Sequence, residues 1–507
     1  MPGVAAVAVC ALYAVGSAVL IVYGLQCYMM TMLYLRRRKH LAEQELVMQR
    51  LGANTDEQAF PTVVTQLPMY NEQSVAARVI EAAAAMDYPV SRHEIQVLDD
   101  STDDSRDVVD RTVAGLQQRG VRISVIRRTN RIGYKAGALQ NGLRQSNADF
   151  VAIFDADFVP PRDFLRKALV FFSDRPKLGL VQGRWTHLNP KASMLTRGQA
   201  LGIDGHFVVE QAGRTWNRLF MNFNGTGGVF RRKAIEESGG WQHDTLTEDL
   251  DLSYRMQLNG WETEFVPGLV VPAEIPEDIN AFKNQQFRWA KGSIQTARKI
   301  LPQLLRRKVK LFPLFQATLH LLYYMVHPMV LLVAALTPPV LSVVSHHRLP
   351  LVIMPGIVAM TASTLGPSVM YMTAQRHLGD HSLRKYLMIP ALMLIGVGLA
   401  VNNTWAVFEG LTGRVTPFHR TPKKGAQRQM QYRPIKDATC LVEILFGVYC
   451  LAAFQYFLCS ASPIVTLFLV IYAAGFLFVG LLSIAHYRRP ALIDYRPGLF
   501  RPARSAA

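Results

Sequence analysis

The stretch FVAIFDADF, Phe150–Phe158, decides the fold. It opens with five consecutive apolar residues, and the carboxylates of Asp155 and Asp157 follow at once. An apolar run that is too short for a buried helix and stops at polar residues reads as a strand buried on both faces. The same form recurs on either side. PTVVTQLP (61–68), EIQVLDD (94–100), RISVIRR (122–128) and LGLVQGRW (178–185) read as strands, and helical patterns fall between them at 72–86, 102–119 and 135–146. This alternation predicts a mostly parallel sheet covered by helices on both faces. Ligands of such sheets bind outside the carboxyl ends of the strands, where Asp99, Asp100, Asp155 and Asp157 fall.

Outward from this region the composition changes. Half of the 507 residues are hydrophobic and 18% are charged, and the apolar ones concentrate at 4–34 and beyond about 312. A spanning helix needs about twenty apolar residues. The runs at 4–34, 317–344, 350–373, 440–459 and 463–485 meet that length, giving five expected crossings. A further run at 386–408 lies between two basic loops, one with Arg376, Arg384 and Lys385, the other with Arg414, Arg420, Lys423, Lys424, Arg428 and Arg433. Positive loops stay on the cytoplasmic side, so this run reads as an interfacial or re-entrant helix, with a sixth crossing as the alternative. Asn402 and Asn403 favour the first reading because amides are costly against lipid.

The expected organisation is therefore an N-terminal anchor (1–40), a linker (41–59), a cytosolic α/β domain (60–300) and a membrane domain (301–507) that contains the interfacial helix and a loop at 409–437. The net charge of +18 gathers beside the apolar segments, at Arg36–Lys39 and at Arg306, Arg307, Lys308 and Lys310. That placement fits anionic headgroups and an anionic substrate and argues against nucleic acid. The five cysteines, Cys10, Cys27, Cys440, Cys450 and Cys459, all lie in apolar segments without a CxxC pair, so neither a disulfide framework nor a zinc site is expected.

Several short motifs carry chemistry. Asp155 and Asp157 offer two carboxylates to one divalent cation, Mg²⁺ or Mn²⁺, which completes its shell with water and substrate phosphates. Asp99 and Asp100 lie at a strand end, where one of them can accept hydrogen bonds from a base or ribose. In TEDLDLSYR, 247–255, Thr247 is placed to cap a helix and the acids to favour its positive end, which leaves Asp249 and Asp251 unused. A carboxylate here, Asp249 with Glu248 beside it, can act as general base, although an ordinary carboxyl with a pKa of about 4 is a weak one. In QQFRW, 285–289, Gln285, Arg288 and Trp289 share one helical face. There Arg288 can neutralise a leaving diphosphate and Trp289 can stack on a sugar ring. FNGTGG, 223–228, permits close backbone approach to a ligand at Gly225, and Lys135, near a helix start, can meet a phosphate.

The ordered set PMYNE (68–72), VLDDSTDD, GYKAGAL, FDADF, QGRW, FNGTGG, TEDLDL and QQFRW resembles the processive, inverting family 2 glycosyltransferases. Within that group it looks closest to cellulose-synthase-like enzymes of the glucan and mannan type, over residues 60–437. The resemblance implies a GT-A fold and a nucleotide-sugar donor, UDP-glucose or GDP-mannose. It implies donor contacts from Asp99, Asp100, Lys135, Asp155 and Arg288, a metal on Asp155 and Asp157, and Asp249 as the base. It also implies acceptor contacts from Gln285, Gln286, Trp289 and Gly225. FHRTPK, 418–423, is similar to the FxVTxK gating loop, with Arg420 in place of valine and with Thr421 and Lys423 retained for the nucleotide. A β-linked polysaccharide elongated at the cytosolic face of a membrane, the plasma or inner membrane if the chain is bacterial or else a Golgi membrane, with export or accessory subunits, is the implied activity; transfer to a membrane lipid is the alternative. Only a short basic tail follows the last apolar run, so cyclic-dinucleotide control is expected to need another chain.

Overall fold

The computed structural model describes residues 3–49, 60–347, 350–379, 382–414, 439–458 and 463–488. Helix α1, Gly3–Arg36, opens the chain and passes through a turn into a second helix, His40–Gln49, within the stretch expected to be a linker. Seven strands follow: β1 (Val63–Met69), β2 (His93–Asp99), β3 (Ile123–Ile126), β4 (Phe150–Ile153), β5 (Leu178–His187), β6 (Gly228–Arg231) and β7 (Glu262–Ala273). They form one sheet in the order β3-β2-β1-β4-β6-β5-β7. The five expected strands are all present, and their four mutual or β7 pairings are parallel. Strand β6 is wedged antiparallel between β4 and β5. This mixed sheet is the GT-A arrangement.

The sheet is held by two cores, one on each face, and the alternation along β1 and β4 sorts residues between them. Val63, Leu67, Phe150 and Ala152 face one core; Val64, Val151 and Ile153 face the other. The second core is not made by the α/β domain alone. Met30, Leu33 and Tyr34 of α1 are buried in it, and the Tyr34 ring stacks on Trp216 at 5.7 Å.

Four helices carry the site or its support: α2 (Tyr134–Arg144), α3 (Met194–Gly205), α4 (Glu248–Leu258) and α5 (Ile279–Arg306). The C-terminal half continues as α6 (Val326–His347), α7 (Pro350–His377), α8 (Ile389–Gly398), α9 (Ala400–Thr412), α10 (Thr439–Phe457) and α11 (Pro463–Arg488). Among the described residues, four helices are long and apolar enough to cross a membrane: Gly3–Arg36, Tyr323–Val343, Thr439–Phe457 and Thr466–Tyr487. Helices α8 and α9 meet at a 48° bend and form either a broken span or a re-entrant pair. Helix α7 covers the run at 350–373 that was expected as a crossing.

Helix α7 packs tightly on α1. A Cβ on Gly24 would meet the Ser363 carbonyl at 2.3 Å, and one on Gly366 would meet the Gly24 carbonyl at 2.1 Å. Small residues at such crossings let two backbones touch where lipid supplies no hydrophobic drive. Asn402 and Asn403 are buried against protein, donating to the Lys283 carbonyl at 3.0 Å and to His327 Nε2 at 2.9 Å. Two buried ion pairs tie α5 to α10 and α9, Lys283–Glu443 at 2.6 Å and Lys291–Glu409 at 2.9 Å.

Candidate active site

The sheet order reverses between β1 and β4, and the loops leaving these two strands open one wall of a cleft of about 430 Å³. Because β4 ends at Ile153, the chain turns immediately and carries Asp155 and Asp157 onto that wall. The Asp155 backbone N–H donates to Thr226 Oγ1 at 2.9 Å, which locks it to the FNGTGG loop. Gly225 in that loop adopts φ +84°, and a Cβ there would stand 3.0 Å from Asp249 Oδ2. Only glycine suits both the backbone angle and the space.

Lys135 occupies the centre. Gly133 at φ +75° and Tyr134 at φ +46° turn the chain into α2 and deliver the side chain inward. Its Nζ donates to Asp155 Oδ1 at 2.5 Å and to the Gly225 carbonyl at 2.9 Å, with Glu248 Oε1 at 4.0 Å. Burial disfavours the ammonium, but the carboxylates of Asp155 and Glu248 outweigh it and hold its pKa above the ordinary lysine value.

Helix α4 supplies the opposing acids. Thr247 stands at its N-cap, yet its hydroxyl bonds Thr296 Oγ1 at 3.1 Å on α5 and not the helix backbone. Gly292 makes this contact possible, since a Cβ there would meet Thr247 Cγ2 at 2.6 Å. Glu248 and Asp249 therefore enter the cleft at a fixed distance from the QQFRW helix. Burial, then the Glu248 carboxylate, pushes Asp249 up to about 7, and burial raises Glu248 as well. The sequence-based expectation of an ordinary weak base is corrected by this setting. Asp251, which the motif left unused, is fully buried and paired with Arg255 at 2.7 Å and Lys299 at 2.9 Å. It belongs to the frame.

From α5, Gln285, Arg288 and Trp289 line the cleft. Asp278 caps this helix by accepting from the Asn280 and Ala281 N–H groups at 2.8 and 2.9 Å. Burial lowers the Arg288 pKa, against the pull of Asp155 and Glu248; a guanidinium titrates so high that it stays charged. Gln286, expected beside them, is not among the residues that line the cleft.

At the far end Asp100 lines the cleft and is gripped by Arg128, whose Nε donates to Oδ1 at 3.0 Å. Asp99 lies outside the cleft, 1% exposed, accepting from the Ser101 N–H at 3.0 Å and from Arg127 Nε at 2.9 Å. Consecutive residues at a strand end face opposite ways, so only one of the pair reaches the ligand side. Thr421 and Lys423 lie outside the described residues.

Sequence reasoning missed Tyr70, Arg131 and Trp185, all on the cleft wall. The Arg131 guanidinium lies 3.1 Å from the Tyr70 ring centroid, and Trp185 Nε1 donates to the Thr226 carbonyl at 3.2 Å. Trp185 was within reach, since it closes the QGRW motif; Arg131 had no signal beyond being one arginine among many.

Among the described residues no group of three or more His, Cys, Asp or Glu side chains could enclose a metal ion. Asp155 and Asp157 still fit a hard divalent cation. Their loop already draws the Lys135 ammonium onto Asp155, and two carboxylates at an open cleft leave positions for phosphate oxygens.

A model of the Glycosyltransferase like family 2 matches residues 61–292. Glucomannan 4-beta-mannosyltransferase 7 of Arabidopsis thaliana is 44% identical over 252 residues, 49% of this chain and 45% of that one. The chain thus spans about half the length of that relative. Probable glucomannan 4-beta-mannosyltransferase 11 of the same plant is 31% identical over 443 residues, 84% of this chain and 97% of its own length. Among solved structures, mannosyltransferase PcManGT from Pyrobaculum calidifontis, in complex with GDP-Man and Mn²⁺, aligns at 20% identity with a TM-score of 0.46, covering 72% of this chain and 100% of that one. With the GT-A sheet, the motif set in one cleft and a relative matched along nearly its whole length, the chain belongs to the family 2 glycosyltransferases, among the cellulose-synthase-like enzymes.

Proposed function

We propose that this chain is a membrane-embedded inverting mannosyltransferase that uses GDP-mannose to elongate a β-linked mannan or glucomannan. One observation carries the reading: residues from five separate stretches, Asp100, Lys135, Asp155, Asp249 and Arg288, line a single cleft. The choice of mannose over glucose is supported by the curated relatives, named as glucomannan 4-beta-mannosyltransferases.

In this reading Asp100 and the Tyr70–Arg131 pair receive the nucleoside. Asp155 and Asp157 would hold the divalent cation, which when bound neutralises charge on the diphosphate. Arg288 and Lys135 place positive charge where the leaving group develops. Asp249 accepts the acceptor hydroxyl proton as that oxygen attacks the anomeric carbon and the C–O bond to the diphosphate breaks, inverting an α-linked donor to a β product. Gln285 and Trp289 position the acceptor end. The cleft lies on the cytosolic side, a placement supported by the basic turn Arg36–Lys39 next to the α/β domain.

Export of the product through the membrane helices belongs to the same proposal. It is supported by a row of rings between α1 and α6, with Tyr23–Tyr323 at 6.1 Å, Tyr323–Tyr324 at 5.6 Å and Tyr324–His327 at 5.9 Å, since aromatic faces suit the apolar faces of sugars.

The test is transfer of label from a panel of nucleotide sugars with Mg²⁺ or Mn²⁺ by purified full-length protein. Label from GDP-mannose in an insoluble, mannanase-sensitive fraction is the expected result. Label only in a solvent-extractable fraction would replace the polymer by a glycolipid product, and no transfer from any donor would overturn the reading.

A further inference from the structure

The cleft wall formed by the end of β5 carries a histidine that the reaction scheme above does not use. His187 is the last residue of β5, in register with Ala273 of β7, and lines the cleft together with Ile203 and Ile275. Its side chain is 8% exposed. Nε2 lies 3.1 Å from Asp204 Oδ1, and its other ring nitrogen makes no hydrogen bond among the described residues. A nearly buried ring with one nitrogen engaged and the other unpartnered on a cleft wall is a polar group prepared for a ligand.

The partners behind it fix which role that nitrogen plays. Asp204, 6% exposed, accepts at its second oxygen from Gln375 Nε2 at 2.9 Å. Gln375, on α7 and fully buried, in turn accepts from Lys385 Nζ at 2.7 Å. A lysine only donates, so the Gln375 carbonyl must face it and the amide N–H₂ must face Asp204. The ionised Asp204 carboxylate only accepts, so in the neutral imidazole the His187 proton sits on Nε2 and the lone pair on Nδ1. The close approach of α3 and α7 that allows this chain depends on Gly205, where a Cβ would stand 2.5 Å from the Tyr371 ring.

We propose that His187 is a specificity-determining residue of the acceptor site, its Nδ1 accepting a hydrogen bond from a hydroxyl of the growing glycan, and that Asp204 is the residue that positions it. The assignment rests on the mannan-synthase reading above. The chemistry favours the acceptor over the donor: an acceptor-only nitrogen beside two isoleucines suits a neutral sugar, with hydroxyls on its edge and apolar C–H on its face. The diphosphate belongs with the cationic Lys135 and Arg288.

The experiment uses the full-length enzyme in nanodiscs, with GDP-mannose and β-1,4-mannohexaose as probes, and compares wild type with His187→Ala, His187→Asn and Asp204→Asn. Loss of one neutral hydrogen bond is expected to raise the KM for mannohexaose by about tenfold in His187→Ala while the KM for GDP-mannose moves less than about twofold. His187→Asn, which returns an acceptor oxygen near the position of Nδ1, recovers part of the loss, and Asp204→Asn shifts the acceptor KM in the same direction by a smaller factor. Equal shifts in both KM values, or no shift in either, would overturn the assignment. Equilibrium binding of mannohexaose is read without turnover. If wild type transfers nothing yet binds mannohexaose more tightly than His187→Ala, the mannosyltransferase reading fails while the sugar contact stands. Equal binding by the two removes the contact itself.

Discussion

Asp249 has its position and its basicity from the same neighbours. Glu248 precedes it, Gly225 leaves room for Oδ2, and burial makes its ionised form costly, so its pKa rises to about 7. Below that value the carboxylate holds a proton and cannot take one from the acceptor. The turnover number is therefore expected to rise with pH through about 7 and then level, read as kcat from about pH 5.5 to about 9 at saturating donor. Asp249→Asn should lower kcat by roughly 10²–10⁴-fold and leave nucleotide binding in place, measured by titration with GDP. Gly225→Ala is a sharper probe of geometry. The added methyl at φ +84° costs about 1–2 kcal/mol of backbone strain and crowds Oδ2 at 3.0 Å, so activity should fall well beyond the small drop in melting temperature. At this scale the sequence was legible where a motif names a residue type that chemistry requires, as with Asp155, Asp249 and Arg288. It was not legible where adjacent like residues share a motif. Asp99 and Asp100 are equivalent on paper, and only the end of β2 decides that Asp100 faces the cleft while Asp99 is consumed by Arg127 and the Ser101 N–H.

Helices α4 and α5 act as one element in two pieces. The Thr247–Thr296 contact across Gly292 sets the spacing between the acids and the Arg288–Trp289 pair, so Gly292→Val is expected to lower kcat by tenfold or more without loss of fold, checked by circular dichroism beside the rate. The glycine of RWAKG had no reading from sequence, because its neighbour lies 45 positions away. Elements with strong local periodicity were foreseen within a few residues: the pattern at 135–146 is realised as Tyr134–Arg144 and that at 102–119 as Ser105–Gln117. Strands β6 and β7 were not. One has four residues, and the other is interrupted by Pro267, Gly268 and Pro272, so neither shows an alternation to read. Helix α5 also bears the Lys283–Glu443 pair, both residues within 1% of full burial. Glu443→Gln removes a buried carboxylate paired with the ammonium and should cost about 3–5 kcal/mol; Lys283→Met with Glu443→Leu should recover most of it, measured by denaturant unfolding in detergent.

Across the whole molecule the boundary that composition suggests, between a membrane anchor and an α/β domain, is not a boundary in packing. Met30, Leu33 and Tyr34 belong to the same core as Phe207, Val208 and Trp216. Removal of residues 1–59 is thus expected to yield an insoluble catalytic fragment and not a free soluble enzyme, assayed by the fraction remaining in the supernatant without detergent. A hydropathy reading sees one long apolar run and assigns all of it to lipid; it cannot tell which turns of that run meet protein. The shared core also imposes an order on biosynthesis. Tyr34 is closed on one side by Trp216 and on another by His377, and Ala374 lies in the same core. A ribosome that has completed every catalytic motif through Trp289 has therefore not yet made the residues that seal the catalytic core, and α1 must wait for α7 before the enzyme is finished.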